Sequence, residues 1–167
     1  SSQNSVITAG IGGSTGALDV TDSGTTDVNG AIALSGAGTI TLDAVTLGAD
    51  ATTVGGAIAF GGAVTGDKGS ATAVGTGAGG GAVTFGTTLG LSAGSADDLT
   101  ITAGTGVVTF TGAVAMDAND LIVASSQNSV ITAGIGGSTG ALDVTDSGTT
   151  DVNGAIALSG AGTITLD

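Results

Sequence analysis

The chain has 167 residues, of which 34 are Gly; Pro, Cys, Trp, Tyr and His are absent, and the formal net charge is −13. All 14 acids are Asp and Lys68 is the single base, so nothing here can neutralise phosphates, and neither nucleic acid nor an anionic membrane surface is an expected partner. The missing Cys excludes a disulfide framework and a thiolate metal or redox site, and an aromatic content of 2% excludes a thick core built on large rings.

Taken in order, the chain first shows a long repeat. Residues 1–43 return letter for letter as residues 125–167, a period of 124 residues. The chain is therefore expected to be about one and a third units of a tandem array, one continuous segment over 1–167, and a piece of something longer. It contains no signal peptide and no 18-residue apolar run, so membrane insertion is not expected.

Short alternating stretches follow one another along the unit. Val6-Ile7, Ala17-Leu18-Asp19-Val20 and Thr26-Asp27-Val28 come first. Ala31-Ile32-Ala33-Leu34, Thr39-Ile40-Thr41-Leu42, Ala44-Val45-Thr46-Leu47 and Thr52-Thr53-Val54 come next. Ala57-Ile58-Ala59-Phe60 leads to Ala63-Val64-Thr65 and, after the turn Gly66-Asp67-Lys68-Gly69, to Ala71-Thr72-Ala73-Val74. Ala82-Val83-Thr84-Phe85 is followed by Leu89-Gly90-Leu91 and Leu99-Thr100-Ile101-Thr102, and Val107-Val108-Thr109-Phe110 by Ala113-Val114-Ala115-Met116 and Leu121-Ile122-Val123. Within each, larger apolar residues alternate with Ala, Thr or Asp, as in strands with one buried face. Gly, Asn-Gly and Asp-Ser-Gly punctuate them. Helices are not expected, because Gly, Thr and Val are poor helix formers and no apolar pattern has a 3.6-residue period.

The blocks beginning at Ala31, Ala57, Ala82, Val107, Val130 and Ala155 step by 26, 25, 25, 23 and 25 residues, which closes on 124. That spacing predicts an all-β fold: a parallel β-helix with about 25 residues and three short strands per turn, and five turns per unit. The crossover rule for parallel strands makes it right-handed. The same steps predict an interior ladder of Phe60, Phe85 and Phe110, continued by Leu34 and Ala133, and a second ladder of Ile58, Val83 and Val108.

The chemistry on offer is narrow. With no Arg, His, Cys or Tyr, acid–base and nucleophilic work would fall to Asp or Ser alone, and the pair Asp97-Asp98 alternates across a strand end rather than converging. Catalysis and bound cofactors are not expected. Calcium is the alternative, since it takes several oxygen ligands and Asp supplies them. The candidates are Asp19, Asp22 and Asp27, with their copies Asp143, Asp146 and Asp151, although the nonapeptide G-G-x-G-x-D pattern is missing: Gly12-Gly13-Ser14-Thr15-Gly16 has no Asp at the required place. Thr39-x-Thr41 and Thr100-x-Thr102 have the form of ice-binding faces but fall at different places in their turns, and strand propensity accounts for them. The run from Gly75 to Gly81 lacks the Gly-Lys-Ser/Thr of a phosphate loop and reads as a corner.

The stretches DLTITAGTGVVTFTGAV and GAIALSGAGTITL resemble the β-strand-repeat segments of giant bacterial surface proteins, the filamentous-haemagglutinin-like and autotransporter-type adhesins. The resemblance implies an extracellular fibre, stalk or sheath at a bacterial cell surface. The residues make it non-catalytic, and strand edges exposed on end turns without caps, with an outer surface mostly of Ala, Thr and Val, add the expectation of self-association end to end or side by side. Two other functions follow from the same residues. One is an adhesin module that binds a host or surface glycan, and the other is a surface protein whose assembly depends on calcium.

Overall fold

Side chains that alternate in and out, with Gly between them, can be stacked turn on turn so that each strand hydrogen-bonds to the strands before and after it in the coil. The computed structural model of the chain has that arrangement: every strand pairing is parallel and no helix occurs among the described residues. The structure describes all residues except Ser1, Ser2, Ser14, Lys68, Ser70, 92–95 and Ser126, and not the side chains of Asp22, Ser23 and Ser125. The fold is a β-solenoid of about seven turns with three faces.

The first face stacks residues 18–20 and 40–42 with the strands Ile58–Phe60, Val83–Phe85, Val108–Phe110, Ser129–Ile131 and Thr150–Val152. Ser5–Ile7 starts the second face, which continues through residues 26–28 and 45–47, Val64–Gly66, Leu89–Leu91, Val114–Asp117, Ile135–Gly137 and Ile156–Leu158. The third face runs from Ile11–Gly12 through Ile32–Ala33, Ala51–Thr52, Thr72–Gly75, Leu99–Gly104, Leu121–Ser125 and Leu142–Asp146 to Ile164–Leu166. Two strands, Leu18–Val28 and Ile40–Leu47, bend round the corner between the first two faces and serve both.

The core is a set of inward rows running along the axis. On the first face Val20, Leu42, Phe60, Phe85, Phe110, Ile131 and Val152 stand one above another. The three rings stack with centroids 5.0 and 5.1 Å apart and interplanar angles of 24° and 11°. Beside them runs Leu18, Ile40, Ile58, Val83, Val108, Ser129 and Thr150. From Ile40 to Val108 both rows are fully buried. Burying each of these side chains contributes roughly 1.5–3 kcal/mol.

The turn size differs from the expected uniform 25 residues. On the first face the steps are 22 (Leu18 to Ile40), 18 (to Ile58), 25 (to Val83), 25 (to Val108), 21 (to Ser129) and 21 (to Thr150). Stacking constrains only the strands, so corners absorb the difference. The corner between the first and second faces is the single residue 43 in the shortest turn. In the 25-residue turns, the corner at 76–82 and the wider sequence gaps between Gly66 and Thr72 and between Leu91 and Leu99 take up the extra length. The ladder's flanks change accordingly. Leu42, not Leu34, sits beside Phe60, and Ile131, not Ala133, sits beside Phe110. Leu34 is buried at the end of the third-face strand Ile32–Ala33, whose neighbours are Ile11 and Ala51.

One corner shows why Gly is so abundant. Gly16, Gly38, Gly56, Gly81 and Gly106 stack ahead of the first face, and a Cβ on any of the last four would collide with the backbone of the glycine below. Backbones can approach this closely only without side chains.

Candidate functional surface

Outward positions carry small, mostly neutral side chains. The first face shows Asp19, Thr41, Ala59, Thr84, Thr109, Val130 and Asp151 in one row. The second shows Val6, Asp27, Thr46, Thr65, Gly90, Ala115, Gly136 and Ala157. Thr41 lies on the first face and Thr100 and Thr102 on the third, so the T-x-T pairs form no common array.

Five of the six calcium candidates have described side chains, and these are spread over all three faces. Asp19 is exposed on the first face beside Thr41, while Asp27 is half-buried on the second between Val6 and Thr46. The side chain of Asp22 lies outside the described residues. In the second copy Asp143 projects from the third face between Ile122 and Thr165, and Asp151 from the first beside Val130. Asp146 ends the strand Leu142–Asp146, where Oδ1 accepts from the Gly148 amide (3.2 Å) and Oδ2 from the Thr150 hydroxyl (3.0 Å), a turn-closing role. Among the described residues no three metal-ligating side chains come together.

The carboxylates that do organise the molecule are different ones, which composition and spacing mark only as turn formers. Immediately before the third face, Asp98 Oδ1 accepts from the Asp120 amide one turn on (2.8 Å), and Asp120 Oδ1 accepts from the Ala141 amide (2.7 Å). Earlier in the coil, Asp50 Oδ1 accepts from the Ala73 amide (3.0 Å). Each side chain thus ties its corner to the next, with a charged acceptor that strengthens the bond. The available signal was the Asp-Leu pair at Asp98-Leu99 and Asp120-Leu121, 22 residues apart.

Asn119 and Asp97 extend this corner inward. The Asp97 amide donates to Asn119 Oδ1 (2.9 Å), and Asp97 Oδ1 accepts from the Gly69 amide (2.6 Å). Asp97 is 2% exposed, and its Oδ2 has no hydrogen-bond partner among the described residues. Asp97 and Asp98 therefore point to opposite sides of the wall, the one buried and the other half-buried. Lys68 lies outside the described residues.

No protein-family model, no curated protein and no solved structure matches the chain. No helix among the described residues is long and apolar enough to cross a membrane.

Proposed function

We propose that the chain is a segment of a non-catalytic structural fibre, extracellular and displayed at a bacterial surface, whose rods associate with one another end to end or side by side. Neither nucleic acid nor membrane insertion enters this reading, and the coil is taken as right-handed by the crossover rule.

The observation that carries it is that one 43-residue sequence is built into the same stack twice, with the same pairings. Residues 150–152, 156–158 and 164–166 have the sequence of residues 26–28, 32–34 and 40–42. In the first copy those strands are covered by residues 45–47, 51–52 and 58–60. In the second copy Val152, Ile164 and Leu166 are exposed by 39%, 48% and 40%. The same sequence is thus closed over by a further turn where the chain continues, so a unit stacks on another of its own kind, as a tandem array requires.

Electron microscopy and diffraction of the natural assembly, with and without a calcium chelator, test this. Filaments with an axial spacing of about 4.8 Å that survive chelation are expected. Discrete short particles with no axial repeat would instead favour the glycan-binding module. Filaments that dissolve on chelation would make the Asp side chains calcium ligands.

A further inference from the structure

The two copies of the 43-residue segment have identical local pairings but lie on different faces. Ser5–Ile7 pairs with residues 26–28, and Ser129–Ile131 pairs with Thr150–Val152, at the same 21-residue offset. Ile11 pairs with Ile32 and Ile135 with Ile156; Leu18 pairs with Ile40 and Leu142 with Ile164. Corner bonds repeat as well: Asn4 Oδ1 accepts from the Thr25 amide (3.1 Å), and Asn128 Oδ1 from the Thr149 amide (3.0 Å). Yet Ser5–Ile7 belongs to the second face and Ser129–Ile131 to the first, while Leu18 lies on the first face and Leu142 on the third.

The glycine column records the same displacement. Gly16 begins the column that continues through Gly38, Gly56, Gly81 and Gly106 ahead of the first face. Its copy Gly140 sits ahead of the third face and packs on Asn119.

Following the strands from Ser5 to Ser129 gives seventeen steps from face to face, and three steps make a turn. One unit therefore occupies five and two-thirds turns, not five. We infer that successive units of the array are related by a screw that falls one third of a turn short of six whole turns, so that only every third unit presents the same surface in the same direction. The rise is about 27 Å per unit and the exact repeat about 82 Å, seventeen turns at about 4.8 Å each.

This inference rests on the fibre reading and deepens it by naming how a second copy of the rod would be met. Each unit turns its outward rows to a new side. A lateral contact made by one unit is therefore offered on three sides along the rod, as suits packing around an axis rather than into a flat ribbon.

The single chain tests the screw without any fibre. It has no Cys, so spin labels attach only where Cys is introduced. In one variant Asp19→Cys is combined with Val130→Cys, in another with Asp143→Cys. Asp19 and Val130 share the outward row of the first face five strand spacings apart, about 24 Å. Asp143 is one unit from Asp19 but on another face, so that distance gains both the additional rise and the width of a face, roughly 10 Å for three residues at about 3.3 Å.

The Asp19–Val130 distance by pulsed electron resonance should be the shorter by at least about 5 Å. Equal distances, or a shorter Asp19–Asp143 distance, would overturn the screw. Thr41→Cys with Asp151→Cys, set against Thr41→Cys with Thr165→Cys, repeats the comparison if the first pair disturbs folding. Failure to find filaments would remove the fibre reading but leave these distances unaffected.

Discussion

The two copies of the 43-residue segment are the same residues in the same pairings, but their burial is reversed. Ile40, Leu42, Val28 and Ile32 are fully buried in the first copy, whereas Ile164 and Leu166 are 48% and 40% exposed in the second. Conversely, Leu142, Val144, Ile131 and Ile135 are buried in the second copy, whereas Leu18, Val20, Ile7 and Ile11 are only half-buried in the first. Each copy is open on the side where no turn covers it. Burial in this molecule therefore belongs to the stack rather than to the residue, as expected where each repeat touches only its neighbours.

The rungs between the copies are covered on both sides, and they should break hardest. Phe85 lies between Phe60 and Phe110 with ring centroids 5.0 and 5.1 Å away and is 1% exposed. Phe85→Ala removes a ring from the middle of a row that cannot collapse without breaking two stacked pairs. A loss of about 3–5 kcal/mol is expected in chemical denaturation. A loss under about 1 kcal/mol would show that the ring is not enclosed.

Leu42 and Leu166 are one residue in two settings. Leu42 is fully buried beneath Phe60, while Leu166 lies at the open end. Leu42→Ala should cost about 2–5 kcal/mol and Leu166→Ala less than about 1 kcal/mol. Equal costs would mean that the C-terminal edge is already covered in solution, which end-to-end stacking would accomplish. Repeating the pair across a range of protein concentrations distinguishes that case, because association makes stability depend on concentration.

Class and repeat were legible in the sequence because both rest on local pattern. Alternation of Val, Ile and Leu with Thr and Ala specifies strands, and the recurrence of similar strands specifies a solenoid. The strand count per unit was not legible. Block spacing aligns Ile32 with Ile58, but Ile40, Val45 and Ala51 lie between them, on the first, second and third faces in turn. The 25-residue step holds only where long corners accompany the phenylalanines. Corners carry no periodic signal, since Gly and Asp serve a one-residue bend and a seven-residue one alike. The inter-turn bonds of Asp50, Asp98 and Asp120 were hidden for a related reason: an Asp that closes its own turn and one that ties two turns together look the same until the register is known.

The smallest expected effect is the one in which the copies differ in sign. Thr26 is fully buried on the second face beside Val45, and its hydroxyl has no hydrogen-bond partner among the described residues. Its copy Thr150 is half-buried on the first face and donates its hydroxyl to Asp146 Oδ2 at 3.0 Å. Valine has nearly the shape of threonine, so the substitution isolates the hydroxyl. Thr26→Val should stabilise by about 1 kcal/mol, because an unpaired buried polar group is removed, whereas Thr150→Val should destabilise by about 0.5–1 kcal/mol, because a made bond is lost. Denaturation midpoints of the two variants, measured side by side, decide it. Shifts of the same sign would mean that the two threonines share one environment.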